Sequence, residues 1–131
     1  MFVLTILKLE YLPQGSNLGS LLFLIYFNDI VECVRDSEVL VYADELKLFR
    51  VITSPNDCII LQNDINRVSK WCDINSFAIN ILKCKVVLYY KSLNPLINHY
   101  TVNSTILERL SEIKDFGVWF DSKLKFSTHI T

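Results

Sequence analysis

Residues 38–51 constrain the fold more than any other part of the chain, because apolar residues recur at every second position on both sides of Asp44–Glu45. A period of two is typical of paired β-strands, so the segment predicts a β-hairpin with both acids at its tip. Adjacent like charges repel each other unless a cation lies between them. The acidic pair therefore indicates either a divalent-cation site or a solvated turn.

The other periodic segments predict both strands and helices. Residues 2–9 predict a strand, and residues 17–35 predict a buried helix. A second, amphipathic helix is predicted to begin at Thr53 or Ser54, because Pro55 fits the first turn of a helix. Further strands are predicted at residues 77–80, 84–90, 100–102, 105–107 and 113–120. This order predicts an α+β fold in which an antiparallel sheet carries two helices packed on one side.

Size and composition limit the class of protein. The 131 residues allow one domain, and a hydrophobic content of 51% is enough to bury a core. No apolar run reaches the roughly 18 residues of a membrane span, and the N-terminal segment lacks the pattern of a signal peptide. Four widely spaced cysteines without a C-x-x-C pair indicate reduced packing residues. We therefore expect an intracellular protein without membrane contact, and the sequence does not distinguish nucleus from cytoplasm.

Four blocks follow one another along the chain. They are PQGSNLGSLLFLIYFNDI from Pro13, YADE at 42–45, NILKCKVVLYY from Asn80 and KDFGVWFDSKLKFSTHI from Lys114. In this order they resemble the reverse transcriptase domain of non-LTR retrotransposons, in particular jockey-like mobile elements. The second block stands where the family has YADD or FADD. The resemblance implies that residues 1–131 form a partial domain of a longer polyprotein: a polymerase palm fragment that lacks the fingers, the first catalytic strand and most of the thumb.

The resemblance also implies a chemistry. Members of the family are RNA-directed DNA polymerases, which join the 3′-hydroxyl of a DNA primer to an incoming deoxynucleotide on an RNA template, using two magnesium ions. Asp44 and Glu45 match the paired aspartates of the family, so both are expected to be catalytic residues and magnesium ligands. Lys83 matches a catalytic lysine that meets the phosphates of the nucleotide. The alternative for Lys83 is a solvated lysine at the end of a strand.

Two further groups of residues match family positions. The expected nucleotide and template side comprises Gln14, Gly15, Ser16, Tyr42 and Ala43, and the expected primer-grip region comprises Phe116, Gly117 and Val118. The alternative for residues 13–16 is a loop that caps the following helix.

Two departures from the family pattern bear on activity. Glu45 replaces an aspartate, and its extra methylene moves the carboxylate by roughly 1.5 Å in a site that depends on placement. In addition, none of the twelve residues before Pro13 is the upstream aspartate of the family. We therefore expect weak magnesium binding and no polymerisation by this chain alone. The alternatives are a non-catalytic module that contacts nucleic acid or protein, and a fragment whose open apolar sheet edge prevents stable folding.

Overall fold

The computed structural model of the protein describes residues 1–11, 27–42, 44–90, 94–110 and 113–114. The central strand of its sheet is β1 (Phe2–Tyr11), which confirms the strand predicted at residues 2–9. β2 (Glu38–Tyr42) and β3 (Glu45–Val51) form the predicted hairpin. β1 pairs antiparallel with β3 on one side and with a later strand, Lys85–Tyr90, on the other. The N-terminal segment therefore lies in the middle of the sheet.

The shorter predicted strands are also present. β4 (Phe77–Ile79) pairs antiparallel with the last residues of β1, and Lys85–Tyr90 is β5. A separate two-stranded sheet consists of β6 (Thr101–Val102) and β7 (Thr105–Ile106). The turn residues between them, Asn103 and Ser104, have φ angles of 50° and 66°. Two-residue hairpin turns require such positive φ values, and the tight turn predicted at these two residues is confirmed.

One edge of the main sheet differs from the antiparallel arrangement that the sequence predicted. β8 (Glu108–Arg109) and β9 (Ile113–Lys114) pair parallel with β5, so the sheet is antiparallel in its main part and mixed at this edge. Residues 115–120 of the predicted final strand lie outside the described residues. At the opposite edge, β2 has no further partner strand among the described residues, and Leu40 is 59% exposed there.

Two α-helices occur in the described part of the chain. α1 (Phe27–Cys33) lies within the helix predicted at residues 17–35, of which 17–26 are outside the described residues. α2 (Pro55–Ile74) begins where the sequence predicted, with proline in its first turn. Proline costs little at this position because the N–H that it lacks would have no partner within the helix.

The start of α2 is fixed by one carboxylate. Asp57 accepts hydrogen bonds from the backbone N–H of Thr53 at 2.9 Å and of Ser54 at 3.2 Å, and Arg50 of β3 forms an ion pair with it at 3.0 Å. The hydrogen bonds from Thr53 and the Arg50 guanidinium hold the pKa of this carboxyl well below its usual range. Asp57 thereby joins the first turn of the helix to the neighbouring strand.

The hydrophobic core lies between the sheet and the two helices. It takes alternate residues from β1 and β3, and from α2 it takes residues at helical spacing. Its fully buried side chains include Val3, Leu7, Leu46, Leu48, Leu61, Ile65 and Val68, with Ile30 from α1. Each such side chain stabilises the fold by about 1.5–3 kcal/mol relative to the exposed state. Because both helices contact this one core, the predicted α+β fold with two helices on one side of the sheet is confirmed.

A buried carboxylate holds the connection between α1 and β2. Asp64 of α2 is fully buried. Its carboxylate accepts hydrogen bonds from the backbone N–H groups of Arg35, Asp36 and Ser37, at 3.0, 3.2 and 2.8 Å. It also accepts a hydrogen bond from Nη1 of Arg67 at 2.7 Å. Burial by itself raises the pKa of a carboxyl group, but these hydrogen bonds outweigh it and leave the pKa of Asp64 below its usual value. The charged carboxylate therefore organises this loop.

The cysteines have the packing role that the sequence predicted. All four are free thiols, and Cys58, Cys72 and Cys84 are buried. Burial raises the pKa of Cys72 to about 12, so this thiol is protonated and unreactive at neutral pH. Among the described residues, no helix is both long enough and apolar enough to span a membrane.

Candidate active site at the hairpin tip

The β2–β3 hairpin places its two acids at one end of the sheet. Asp44 lies in the turn, and Glu45 is the first residue of β3, with side chains that are 39% and 32% exposed. The backbone N–H of Leu9 donates to the carbonyl oxygen of Asp44 at 2.8 Å, so the tip is fixed to β1. The tip is thus held against the central strand, and both carboxylates reach solvent.

A lysine of β1 contacts this tip directly. The Nζ of Lys8 donates to Oδ1 of Asp44 at 2.7 Å, and in the strand register Lys8 lies opposite Glu45. The hydrogen bond to Asp44 raises the pKa of Lys8 above its usual value, although partial burial acts in the other direction. A second lysine, Lys47, has its Nζ 3.8 Å from Oε2 of Glu45. Two ammonium groups therefore balance the charge of the two acids.

The tip as arranged does not fit a divalent cation. Magnesium requires several oxygen ligands in octahedral geometry, whereas the tip offers two carboxylates, one of them already paired with Lys8. The third acid of this region, Glu10, accepts a hydrogen bond from Nδ2 of Asn80 at 2.8 Å. Within the described ranges, no group of three or more His, Cys, Asp or Glu side chains could hold a metal ion.

The segment that carries Lys83 lies at the same end of β1. It is a 3₁₀ turn, Ile81–Lys83, between β4 and β5, and the backbone N–H of Asn80 donates to the carbonyl oxygen of Lys8 at 2.9 Å. The N–H of Lys8 in turn lies 3.4 Å from Sγ of Cys84. Lys83 itself is exposed and forms no ion pair in the described part of the chain. The structure thus brings the turn of the N-x-x-K motif beside the strand that contacts the tip.

The other predicted site residues lie outside the described part of the structure. These are Gln14, Gly15, Ser16, Ala43, Phe116, Gly117 and Val118. Tyr42 is described only through its backbone, which pairs with Glu45. The nucleotide-side and primer-grip roles of these residues stay predictions.

Sequence reasoning did not find the role of Lys8. In the sequence it interrupts an apolar strand, and its partner Asp44 lies 36 positions away. The signal that could have identified it is the charge itself, because a lysine inside an alternating strand normally needs an acidic neighbour or an exit to solvent.

Comparison with known proteins gives the family. The reverse transcriptase (RNA-dependent DNA polymerase) family profile matches residues 6–122. The RNA-directed DNA polymerase from mobile element jockey of Drosophila funebris is 30% identical to the chain, over 91% of this chain and 14% of that protein. The probable RNA-directed DNA polymerase from transposon BS of Drosophila melanogaster is 26% identical, over 90% of this chain and 14% of that protein.

The jockey protein of Drosophila melanogaster is 28% identical, again over 91% of this chain and 14% of its own length. The chain thus spans only about a seventh of the curated relatives that it matches. No solved structure matches the chain. The family profile covers most of the sequence, and four blocks in the same order carry the same resemblance. The chain therefore belongs to the reverse transcriptase (RNA-dependent DNA polymerase) family, and it is similar to a segment of the polymerases of jockey-type mobile elements.

Proposed function

We propose that the chain is the palm segment of the RNA-directed DNA polymerase of a non-LTR mobile element, reaching from the PQGS block to the start of the thumb. In the longer protein it would take part in nucleotidyl transfer from deoxynucleotides to a DNA primer on an RNA template. The observation that carries this proposal is the position of the hairpin tip. The tip contains Asp44 and is fixed to one end of β1, and the same end of β1 contacts the turn that contains Lys83. The family match supports the same reading.

The roles of individual residues follow from their places at this end of the sheet. Asp44 would act as the leading carboxylate and Glu45 as a second, longer one, while Lys83 would bind phosphate oxygens of the nucleotide. The magnesium requirement is part of this proposal for the longer protein, since a further carboxylate would have to come from outside the described residues. The chain alone has Asp44 paired with Lys8, and we infer that it does not polymerise.

Primer extension tests this proposal in two forms of the protein. We expect the chain alone to add no nucleotide in the presence of magnesium, and the longer protein that its transcript encodes to extend a DNA primer on RNA. Asp44→Asn should lower the rate of the longer protein by about a hundredfold or more, because a displaced charge at such a site has effects of this size. Asp73→Asn, an exposed change on α2, is the matched control and should leave the rate unaltered.

Two results would contradict the proposal. One is a longer protein whose activity does not depend on Asp44. The other is nucleotide addition by the chain alone that disappears in Asp44→Asn, because the chain would then hold a complete site without further carboxylates.

A second candidate is a non-catalytic module that binds nucleic acid. It is favoured by a groove of about 410 Å³ between α1 and α2, in which Arg35, Arg67 and Lys70 lie next to Trp71 and Glu32 is also part of the lining. Neither Arg35 nor Lys70 forms a side-chain ion pair in the described ranges. This function would be seen as RNA affinity that falls steeply as the salt concentration rises.

A further inference from the structure

We infer that the ammonium group of Lys8 takes the place of a cation at the hairpin tip, so that residue 8 decides whether the tip can accept a divalent ion. The inference rests on the proposed function in taking the tip as the acidic site of the polymerase. It names the residue that controls cation binding at that site. Neither the family match nor the sequence motifs identify such a residue.

The strand register places Lys8 at the hairpin tip. Lys8 lies opposite Glu45 in the β1–β3 register, and the next residue, Leu9, donates its N–H to the carbonyl oxygen of Asp44. The backbone of residue 8 is held on both sides of β1, since Lys8 pairs with Glu45 of β3 and its carbonyl oxygen accepts the N–H of Asn80 at 2.9 Å. The side chain at position 8 is therefore directed to the tip by the register of the sheet, and its Nζ reaches Asp44 Oδ1 at 2.7 Å.

The positive charge of Lys8 opposes the binding of another cation at the tip. Lys8 donates to Asp44 at 2.7 Å and lies opposite Glu45, and a lysine side chain carries its positive charge at neutral pH. An ammonium group and a divalent cation repel each other, so an ion can bind Asp44 only after Lys8 has moved away. Even at the dielectric constant of water, the repulsion between an ammonium group and a divalent ion about 4 Å away corresponds to roughly tenfold or more in affinity. Losing Lys8 should therefore increase the cation affinity of the tip by at least about tenfold.

A second lysine near the tip, Lys47, lies farther from its acid than Lys8 does. Lys47 lies 3.8 Å from Glu45, beyond hydrogen-bond distance, while Lys8 donates a short hydrogen bond to Asp44. Both lysines are partly exposed, but only Lys8 contacts the turn residue. A loss of charge at position 47 should therefore have a much smaller effect on ion binding than the same loss at position 8.

Manganese binding measures this effect without any need for polymerisation. Free Mn²⁺ is followed by electron paramagnetic resonance as it is titrated with the complete chain and its variants. We expect Lys8→Met to bind Mn²⁺ at least about tenfold more tightly than the unaltered protein. Lys8→Arg, which keeps the charge, should bind like the unaltered protein. Lys47→Met should change the affinity by no more than about twofold.

A second carboxylate change identifies where the ion binds. In the double variant Lys8→Met/Asp44→Asn the gain should disappear, because the ligand that Lys8 releases is then missing. Lys8→Asp brings a third carboxylate to the tip, and its thermal midpoint should rise on addition of Mn²⁺ more than that of the unaltered protein. If circular dichroism shows that Lys8→Met is unfolded, Lys8→Gln replaces it as the neutral variant.

Equal Mn²⁺ affinity in the unaltered protein and in a folded neutral variant would overturn the inference. A gain that survives Asp44→Asn would do the same, since the ion would then bind elsewhere. The outcome of the Mn²⁺ titration can be distinguished from the outcome of the test of the proposed function. If the neutral variant gains Mn²⁺ affinity while the longer protein extends primers without Asp44, the inference stands and the proposed function fails.

Discussion

Replacing Asp64 by asparagine is expected to destabilise the protein by about 3 kcal/mol, because the change removes a fully buried carboxylate whose ion-pair partner, Arg67, is partly exposed, and leaves hydrogen-bond donors without their acceptor. Three backbone N–H groups and the Arg67 guanidinium donate to this carboxylate. An asparagine has one acceptor oxygen in place of two, so at least one of these partly buried donors would lose its partner. The free energy of unfolding, measured by urea titration near neutral pH, gives the size of the loss.

The free energy of unfolding of the same variant, measured as a function of pH, tests whether the charge of Asp64 causes the stabilisation. The folded-state pKa of Asp64 lies below its unfolded value, so its stabilisation is present above the unfolded pKa and is lost as the pH falls through the folded pKa. The unaltered protein should therefore lose more stability on acidification than Asp64→Asn does. Asp73→Asn on the exposed face of α2 should change the free energy of unfolding by less than about 0.5 kcal/mol. An equal loss of unfolding free energy in Asp64→Asn and Asp73→Asn would contradict the role given to Asp64.

Truncation of Leu7 in β1 should cost about 3 kcal/mol, which is the second large effect. Leu7 is fully buried between the sheet and the helices, and a leucine-to-alanine change there removes buried methyl groups and leaves a cavity. The neighbouring residue Ile6 points to the other face and is partly exposed. Ile6→Ala is therefore the matched control, with an expected loss below about 1.5 kcal/mol.

Urea titration of both variants compares the two faces of one strand. A loss in Leu7→Ala at least twice that in Ile6→Ala would support β1 as the central strand of the fold. Losses of similar size would mean that β1 does not present its odd-numbered residues to the core.

Local pattern was enough to predict the elements that are regular over several residues. The alternation of residues 38–51 gave the hairpin, and the apolar spacing after Pro55 gave α2. Residues 108–109 were not predicted as a strand, because a two-residue parallel pairing leaves no periodic signal. The place of β1 at the centre of the sheet could not be predicted either, since pairing between distant strands is not recorded in local periodicity.

The two polar contacts that matter most were missed for a similar reason. Lys8 and Asp44 meet only because β1 pairs with β3, and their charges look solvated in the sequence. Asp64 did leave a signal, because it lies three residues after Leu61 and four before Val68 on the apolar face of α2. A charged residue on that face predicts a buried carboxylate with dedicated partners.

β1 pairs with β3 in the register that brings Lys8 to Asp44, and both the fold and the site depend on this pairing. Nuclear Overhauser effects in isotope-labelled protein report this pairing, since opposite residues of antiparallel strands have close backbone hydrogens. We predict cross-strand effects between Lys8 and Glu45 and between Ile6 and Lys47, together with effects from Ile6 to Lys85. A register shifted by one residue, which would turn Lys8 to the other face, or no contacts between β1 and β3 would contradict this pairing.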